Sequence, residues 1–144
     1  MSERFPGIVF LDTAYAIALV NRADLLHGIA VDLAQQLRAT NTRIITTRAI
    51  LLEIGDSLSK PQYRQVAGEL LTSVGQDPSI EVLELTEPLY SQALTLYRER
   101  LDKGWGMTDC FSFVVMRARG ITDALTHDIH FEQAGFRTLM RGSS

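Results

Sequence analysis

Short apolar runs alternate with longer stretches of helical periodicity along this chain, and this alternation restricts the fold more than any other feature of the sequence. The apolar runs predict strands at residues 7–12, 43–46, 80–85, 121–127 and 136–140. The stretches between them predict helices at residues 14–21, 24–40, 48–59, 61–73, 87–101, 109–119 and 131–134. Such alternation is typical of α/β proteins. We therefore expect one α/β domain with a mainly parallel central sheet of four to five strands, flanked by helices.

Size and charge fit a single enzyme-sized domain. The 144 residues predict one domain over residues 1–144, with a core at about 7–140. A net charge of −3 argues against a non-specific nucleic-acid coat, which would be strongly basic. The amino-terminal residues lack the pattern of a secretory signal, and no apolar run reaches the roughly 18 residues of a membrane helix. We therefore expect a cytoplasmic protein that does not enter the membrane.

Three threonines precede predicted helices in positions that suit an N-cap. Thr47 comes before the helix of residues 48–59, Thr86 before that of residues 87–101, and Thr108 before that of residues 109–119. Their hydroxyls are expected to accept hydrogen bonds from the first free N–H groups of these helices.

Four carboxylates lie on otherwise apolar elements. Asp12 and Asp128 each follow an apolar run, whereas Glu53 and Asp109 interrupt apolar helical patterns. An ionised carboxylate is costly to bury unless it is paired or holds a metal. Because ligands of open parallel sheets collect outside the carboxyl ends of the strands, we expect all four to meet at one edge. Oxygen ligands of this kind suit hard divalent ions such as Mg²⁺ and Mn²⁺, which activate water for phosphoryl displacement.

Other kinds of site fit the sequence less well. His127 and His130 have His-x-x-His spacing, but they lack the glutamate and helical context of a zinc protease, so solvent-facing or supporting roles are favoured. Cys110 has no neighbouring histidine and is expected in the core. The sequence has neither a Gly-x-Ser-x-Gly elbow nor a phosphate loop ending in Lys-Ser or Lys-Thr. A haloacid-type phosphatase would need an aspartate where this chain has Ala14.

Four blocks of the sequence together resemble a PIN domain, over roughly residues 8–140. They are Leu11-Asp12-Thr13, the mid-helix Glu53, residues 107–113 and residues 125–136. PIN domains are small metal-dependent ribonucleases, and bacterial members of this size are similar to the VapC toxins of toxin–antitoxin pairs. The resemblance implies a divalent-metal-dependent endoribonuclease in which Mg²⁺ or Mn²⁺ is held by four ligands: Asp12, Glu53, Asp109 and Asp128. It also implies that Thr13 and Thr126 support these ligands through hydrogen bonds.

Further expectations concern the substrate and partners. Arg48 and Lys103 are candidate phosphate contacts, and Trp105, in a Gly-Trp-Gly loop, is a candidate for stacking on an RNA base. Asp56 and Asp102 are reserve candidates for the acidic site. One metal ion or two would fit.

By resemblance to the toxins, a homodimer and an antitoxin that covers the acidic pocket are expected. Apolar residues in excess of what a short sheet can cover also favour the dimer: Leu25, Leu26, Val66, Leu70 and Leu71. The rival hypothesis is a non-catalytic module that keeps the fold and binds RNA or another protein, although a pure scaffold has no physical need for four clustered carboxylates.

Overall fold

Five parallel strands form the central sheet of the computed structural model, which describes residues 4–141. The order across the sheet is β3-β2-β1-β4-β5. The strands are β1 Ile8–Leu11, β2 Arg43–Thr47, β3 Ile80–Leu83, β4 Asp123–Leu125 and β5 Arg137–Thr138. The chain builds the sheet outward from β1 in one direction and then in the other, so the direction of winding reverses between β1 and β4. The expected α/β fold with a parallel sheet is confirmed.

The helices cover both faces of this sheet. Within residues 4–141 they are α1 Thr13–Val20, α2 His27–Ala39, α3 Arg48–Ser57, α4 Pro61–Gln76, α5 Glu87–Glu99, α6 Met107–Ala118 and α7 Ile129–Gln133. Helices α1 to α4 pack against one another, and α5 to α7 form a second group. Because parallel crossovers are right-handed, reversing the winding direction places the two groups on opposite faces. The first and last three residues of the predicted 1–144 domain lie outside the described range.

The core lies between the sheet and these helices. Strands β1 and β4 read as continuous apolar runs because both of their faces are covered, and Val9, Phe10 and Leu125 have no exposed surface. From the helix side, Phe113 and Phe131 are also fully buried and meet edge to face, with ring centroids 5.0 Å apart. Among the described residues, no helix combines the length and apolar character needed to cross a membrane.

Two of the three predicted N-caps are confirmed. The Thr47 hydroxyl accepts a hydrogen bond from the Ile50 N–H at 3.2 Å, and the Thr86 hydroxyl accepts one from Leu89 at 3.4 Å. The prediction for Thr108 is wrong, because α6 begins at Met107 and its N-cap is Gly106. The first turn is instead closed by Asp109, whose carboxylate accepts a hydrogen bond from the Gly106 N–H at 3.2 Å.

Strands β3 and β4 are shorter than the predicted strands at residues 80–85 and 121–127. Strand β3 ends at Leu83, after which Glu84 and Leu85 are exposed. Strand β4 ends at Leu125, because the next residue, Thr126, turns its side chain toward the end of β1. These residues beyond the strand ends are the ones that shape the edge of the sheet.

Candidate metal centre

The reversal of winding between β1 and β4 creates a crevice at the carboxyl edge of the sheet, the usual location of a ligand site in an open parallel sheet. Asp12 follows β1 and Thr126 follows β4. The Thr126 hydroxyl donates a hydrogen bond to Asp12 Oδ2 at 2.7 Å, across 114 positions of sequence. This bond joins the two central strands and fixes the orientation of the Asp12 carboxylate.

The pKa of Asp12 is raised to about 7, mainly by burial and to a smaller extent by the nearby charges of Glu53 and Asp109. The hydrogen bonds from Thr126 and from the backbone of Thr13 oppose this shift. Only 7% of the Asp12 surface is exposed, and within residues 4–141 no lysine or arginine pairs with it. Ionised Asp12 therefore lacks the counter-charge that a buried carboxylate needs.

Glu53 is brought to Asp12 by helix α3. The N-cap at Thr47 sets the start of this helix directly after β2, so that Glu53 lies in its second turn. The Thr13 hydroxyl, at the start of α1, donates a hydrogen bond to Glu53 Oε1. Thr13 and Thr126 thus each hold one carboxylate of the cluster.

Asp109 and Asp128 lie on the other side of the crevice, at the starts of α6 and α7. Asp128 is the N-cap of α7, and its Oδ1 accepts a hydrogen bond from the His130 N–H at 2.9 Å. The His130 ring lies between the two acids, with Nδ1 3.0 Å from Asp109 Oδ2 and 3.5 Å from Asp128 Oδ1. Burial raises the pKa of Asp109 and the Asp128 charge adds to the shift, whereas the Gly106 N–H and His130 lower it.

The donor set fits a divalent metal ion. Asp12 interacts electrostatically with both Glu53 and Asp109, and Asp109 interacts with Asp128. Neighbouring carboxylates in this series therefore repel one another at a partly buried edge, and a divalent cation would relieve that repulsion. Carboxylate oxygens are ligands that Mg²⁺ and Mn²⁺ accept. Asp109, Asp128 and His130 have ligand atoms that all lie within 4.8 Å of one another.

A sequence model of the PIN domain matches residues 9–137. The chain belongs to the PIN domain family. The 23S rRNA-specific endonuclease VapC20, from two strains of Mycobacterium tuberculosis, is 27% identical over 129 residues, which are 90% of this chain and 95% of VapC20.

Solved structures agree with this membership. The crystal structure of Mycobacterium tuberculosis VapC20, a toxin that cleaves the sarcin–ricin loop, has a TM-score of 0.77 at 27% identity, over 89% of this chain and 95% of that one. The structure of VapBC2 from Rickettsia felis bound to a promoter DNA fragment has a TM-score of 0.66, over 91% and 96% of the two chains. Its 18% identity makes it similar in fold alone.

Trp105 lies in the core of this PIN domain, whereas the sequence predicted that it would be exposed in a loop. Its surface is 4% exposed, and its ring packs edge-on against Phe113 with centroids 5.0 Å apart. The indole N–H donates a hydrogen bond to Gln133 Oε1 at 2.9 Å. The prediction that Trp105 stacks on a base is therefore wrong, because the ring has no free face. It joins α6 to α7 instead.

The other predicted substrate contacts lie at the surface in ion pairs. The Arg48 guanidinium binds Glu84 through two hydrogen bonds, of 3.1 and 2.7 Å. Lys103 Nζ is 3.6 Å from Asp102, which also accepts two hydrogen bonds from Arg100. That pairing with Arg100 lowers the pKa of Asp102 to about 2.

The reserve candidates are not part of the acidic cluster. Asp102 is engaged with Arg100 and Lys103 on an exposed loop, and Asp56 is exposed near the end of α3. His130, which the sequence favoured for a solvent-facing or supporting role, contacts two of the acids directly. The available signal was its position in the first turn of α7, two residues after Asp128, which places its ring near that acid. His127 is exposed.

Proposed function

We propose that this PIN domain is a divalent-metal-dependent endoribonuclease and the toxin of a toxin–antitoxin pair. The observation that carries the proposal is the group of four carboxylates at the switch point, within residues 4–141 unpaired with any lysine or arginine. The alignment with VapC20, an endonuclease and toxin, over 95% of its length supports the same activity. We assign Asp12, Glu53, Asp109 and Asp128 as the metal ligands, with Mg²⁺ or Mn²⁺ as the ion.

The bound ion would supply the Lewis acidity that activates water and stabilises the charge that develops on the phosphate. The protein contributes preorganised ligands. Thr126 holds the Asp12 carboxylate and Thr13 holds that of Glu53. The Gly106 N–H holds Asp109. Because these partners are fixed before substrate binds, little reorganisation is needed during the reaction.

The shape of the site suits a polymer rather than a small molecule. A cavity of about 470 Å³ lies among α1, α2 and α4, but it is lined mainly by apolar residues, and none of the four acids lines it. The acids instead occupy the edge of the sheet, where an extended RNA backbone has access. RNA as the substrate also places the proposed activity in the cytoplasm.

We assign Lys103 and Arg48 to phosphate contacts along this edge. Lys103 precedes Gly104, and a Cβ placed on Gly104 would lie 4.0 Å from His130 Nε2, so this loop passes beside the cluster. Asp102 already accepts two hydrogen bonds from Arg100, so Lys103 loses little by turning to a phosphate. Arg48 would have to exchange Glu84 for phosphate in the same way.

A toxin requires a partner that suppresses it. We propose an antitoxin that covers the acidic centre and presents a cationic side chain to it, because carboxylates without a lysine or arginine partner within residues 4–141 attract such a charge. We also retain the homodimer as a proposal.

The test of the proposed activity is Asp109→Asn, which should abolish RNA cleavage and leave the fold intact. The amide oxygen can still accept the hydrogen bond from Gly106, whereas a negative charge is lost from the site, where ligand charge governs affinity. The measurement is cleavage of RNA by the purified protein with Mn²⁺ and with EDTA. A variant that keeps more than about a tenth of parental activity, a loss under about 1.4 kcal/mol in the barrier, would show that Asp109 is not a ligand.

Asp77→Asn is the matched control. Asp77 Oδ1 accepts hydrogen bonds from the Ser79 N–H and hydroxyl in a turn before β3, and an amide oxygen can accept both. This variant should cleave RNA at the parental rate. EDTA should stop cleavage by both the parent and the control, whereas a non-catalytic binding module would cleave under none of these conditions.

A further inference from the structure

A third potential ligand, the His130 imidazole, lies beside the two acids at the starts of α6 and α7. We infer that His130 Nδ1 binds the divalent ion together with Asp109 and Asp128, and that this nitrogen makes the centre prefer Mn²⁺ to Mg²⁺. The inference rests on the proposed function, since it concerns the same ion.

The distances match the edges of an octahedral coordination shell. Ligand atoms about 2.1 Å from an ion lie about 3 Å apart when they occupy adjacent positions. His130 Nδ1 is 3.0 Å from Asp109 Oδ2 and 3.5 Å from Asp128 Oδ1. All three ligand atoms fall within 4.8 Å of one another. An ion can therefore bind between the ring nitrogen and the carboxylates with little movement of the side chains.

The His130 ring is positioned by its surroundings. Asp128 caps α7 through the His130 N–H, which sets the backbone of the residue. The next residue, Phe131, is fully buried against Phe113 of α6, and Gln133 is held by Trp105. The last two contacts fix α7 relative to α6, and with it the distance from the imidazole to Asp109. A ring held in this way is preorganised for a ligand role.

The imidazole nitrogen of His130 determines the preference of the centre for Mn²⁺ over Mg²⁺. Carboxylate oxygens suit both Mg²⁺ and Mn²⁺. Imidazole nitrogen is a ligand of transition-metal ions, and Mn²⁺, as one of them, accepts it more readily than Mg²⁺, which binds oxygen. A site of carboxylates alone would discriminate little between the two ions. Adding one imidazole should favour Mn²⁺.

Pulsed EPR of Mn²⁺ added to the metal-free protein tests this directly. A manganese-bound imidazole gives a ¹⁴N hyperfine coupling, which carboxylates and water cannot give. We expect this coupling in the parent protein and its loss in His130→Phe, which keeps a ring of similar shape without nitrogen. His127→Phe, the same change at an exposed histidine three positions earlier, should retain it. We also expect the ratio of Mn²⁺ to Mg²⁺ affinity to fall about tenfold in His130→Phe alone.

The possible outcomes separate the two proposals. Bound Mn²⁺ without ¹⁴N coupling in the parent protein would overturn the role of His130 and leave the metal-dependent activity standing. Coupling that persists in His130→Phe would also overturn it, because the nitrogen would come from elsewhere. Failure of the parent to bind Mn²⁺ at all would overturn both. Since the first measurement uses the parent protein, it does not depend on the variant folding.

Discussion

Asp12 illustrates how one residue can oppose folding and still be retained. Its carboxylate is buried at the end of β1 with a pKa of about 7, well above the ordinary value of 3.8. Between these two pH values the folded protein binds a proton at Asp12 that the unfolded chain has released. The free energy of unfolding of the metal-free protein therefore falls as pH rises through this window, by up to about 4 kcal/mol from this residue.

Asp12→Asn should remove that loss. The metal-free parent loses stability from pH 4 to pH 7.5 as Asp12 ionises, whereas the amide of the variant never ionises. We therefore expect the melting temperature of the variant to rise relative to that of the metal-free parent over this pH range. Thermal unfolding in EDTA at a series of pH values measures the difference.

Asp102→Asn is a control with the opposite sign. The pKa of Asp102 is lowered to about 2 by Arg100, so its contribution to stability is present above pH 3.8 and lost as pH falls toward 2. Its variant should therefore lose stability relative to the parent as pH rises from 2 to 4. A difference for Asp12→Asn that did not change with pH would contradict the buried, protonated state of Asp12.

At the level of single residues, the sequence indicated the acids better than it indicated their surroundings. The four carboxylates stood out because charge is costly on apolar elements. In the structure Asp12 interacts electrostatically with Glu53 and Asp109, and Asp109 with Asp128, whereas their role as metal ligands stays a prediction. Trp105 was misplaced because its flanking glycines suggested an open loop. Its actual partner, Gln133, is 28 positions away, and no local pattern reveals such a contact.

Helix α3 shows how a structural element determines the position of a functional side chain. Its N-cap, Thr47, has no exposed surface and holds the helix that carries Glu53. Thr47→Val keeps the shape but removes the cap, so we expect a loss of about 1 kcal/mol in the free energy of unfolding. We also expect roughly tenfold slower RNA cleavage, because small displacements of catalytic groups are costly. Denaturant unfolding and the cleavage assay measure the two effects.

Thr86→Val is the matched control for this element. Thr86 caps α5 in the same way, but that helix carries none of the four acids. It should lose a comparable amount of stability and cleave RNA normally. Equal loss of cleavage in the two variants would mean that general stability, rather than the position of Glu53, accounts for the effect.

Elements were predictable where the signal was local. The Thr47 and Thr86 caps depend on a hydroxyl and an N–H three residues later, so the sequence was sufficient. The start of α6 could not be predicted from the sequence, because its N-cap is Gly106, which has no side chain to signal the position. The strands predicted at residues 80–85 and 121–127 also extended beyond the observed strand ends. Apolar residues such as Leu85 continue beyond the last ladder pair, which depends on the neighbouring strand rather than on composition.

Across the whole molecule, the repulsion among the acids should make stability depend on metal. A ligand that binds the folded state alone adds about 2.7 kcal/mol at a hundredfold excess over its dissociation constant. For a domain of this size that corresponds to a rise of about 5–10 °C in melting temperature with Mn²⁺. NaCl at equal ionic strength should have a much smaller effect. A melting temperature that does not respond to Mn²⁺ would count against the metal centre.

The homodimer is also a property of the whole molecule, but most of the apolar residues expected to favour it are not available for an interface. Leu26, Leu70 and Leu71 pack against the core of the same chain, so they are not in excess; Leu25 is fully exposed. Other exposed apolar residues remain, among them Leu52, Leu85 and Leu101. We still expect a dimer by light scattering at tens of micromolar, with Leu52→Glu shifting it toward monomer. A strictly monomeric parent would remove this prediction.

The strand order has a consequence for how the protein is made. Asp12 is synthesised early, but its partner Thr126 and the elements that carry Asp128 and His130 follow more than a hundred residues later. A growing chain on the ribosome therefore cannot form the joint between β1 and β4 until most of the domain has emerged. For the proposed ribonuclease, this order predicts that the incomplete chain does not cleave the message and the ribosome that are producing it.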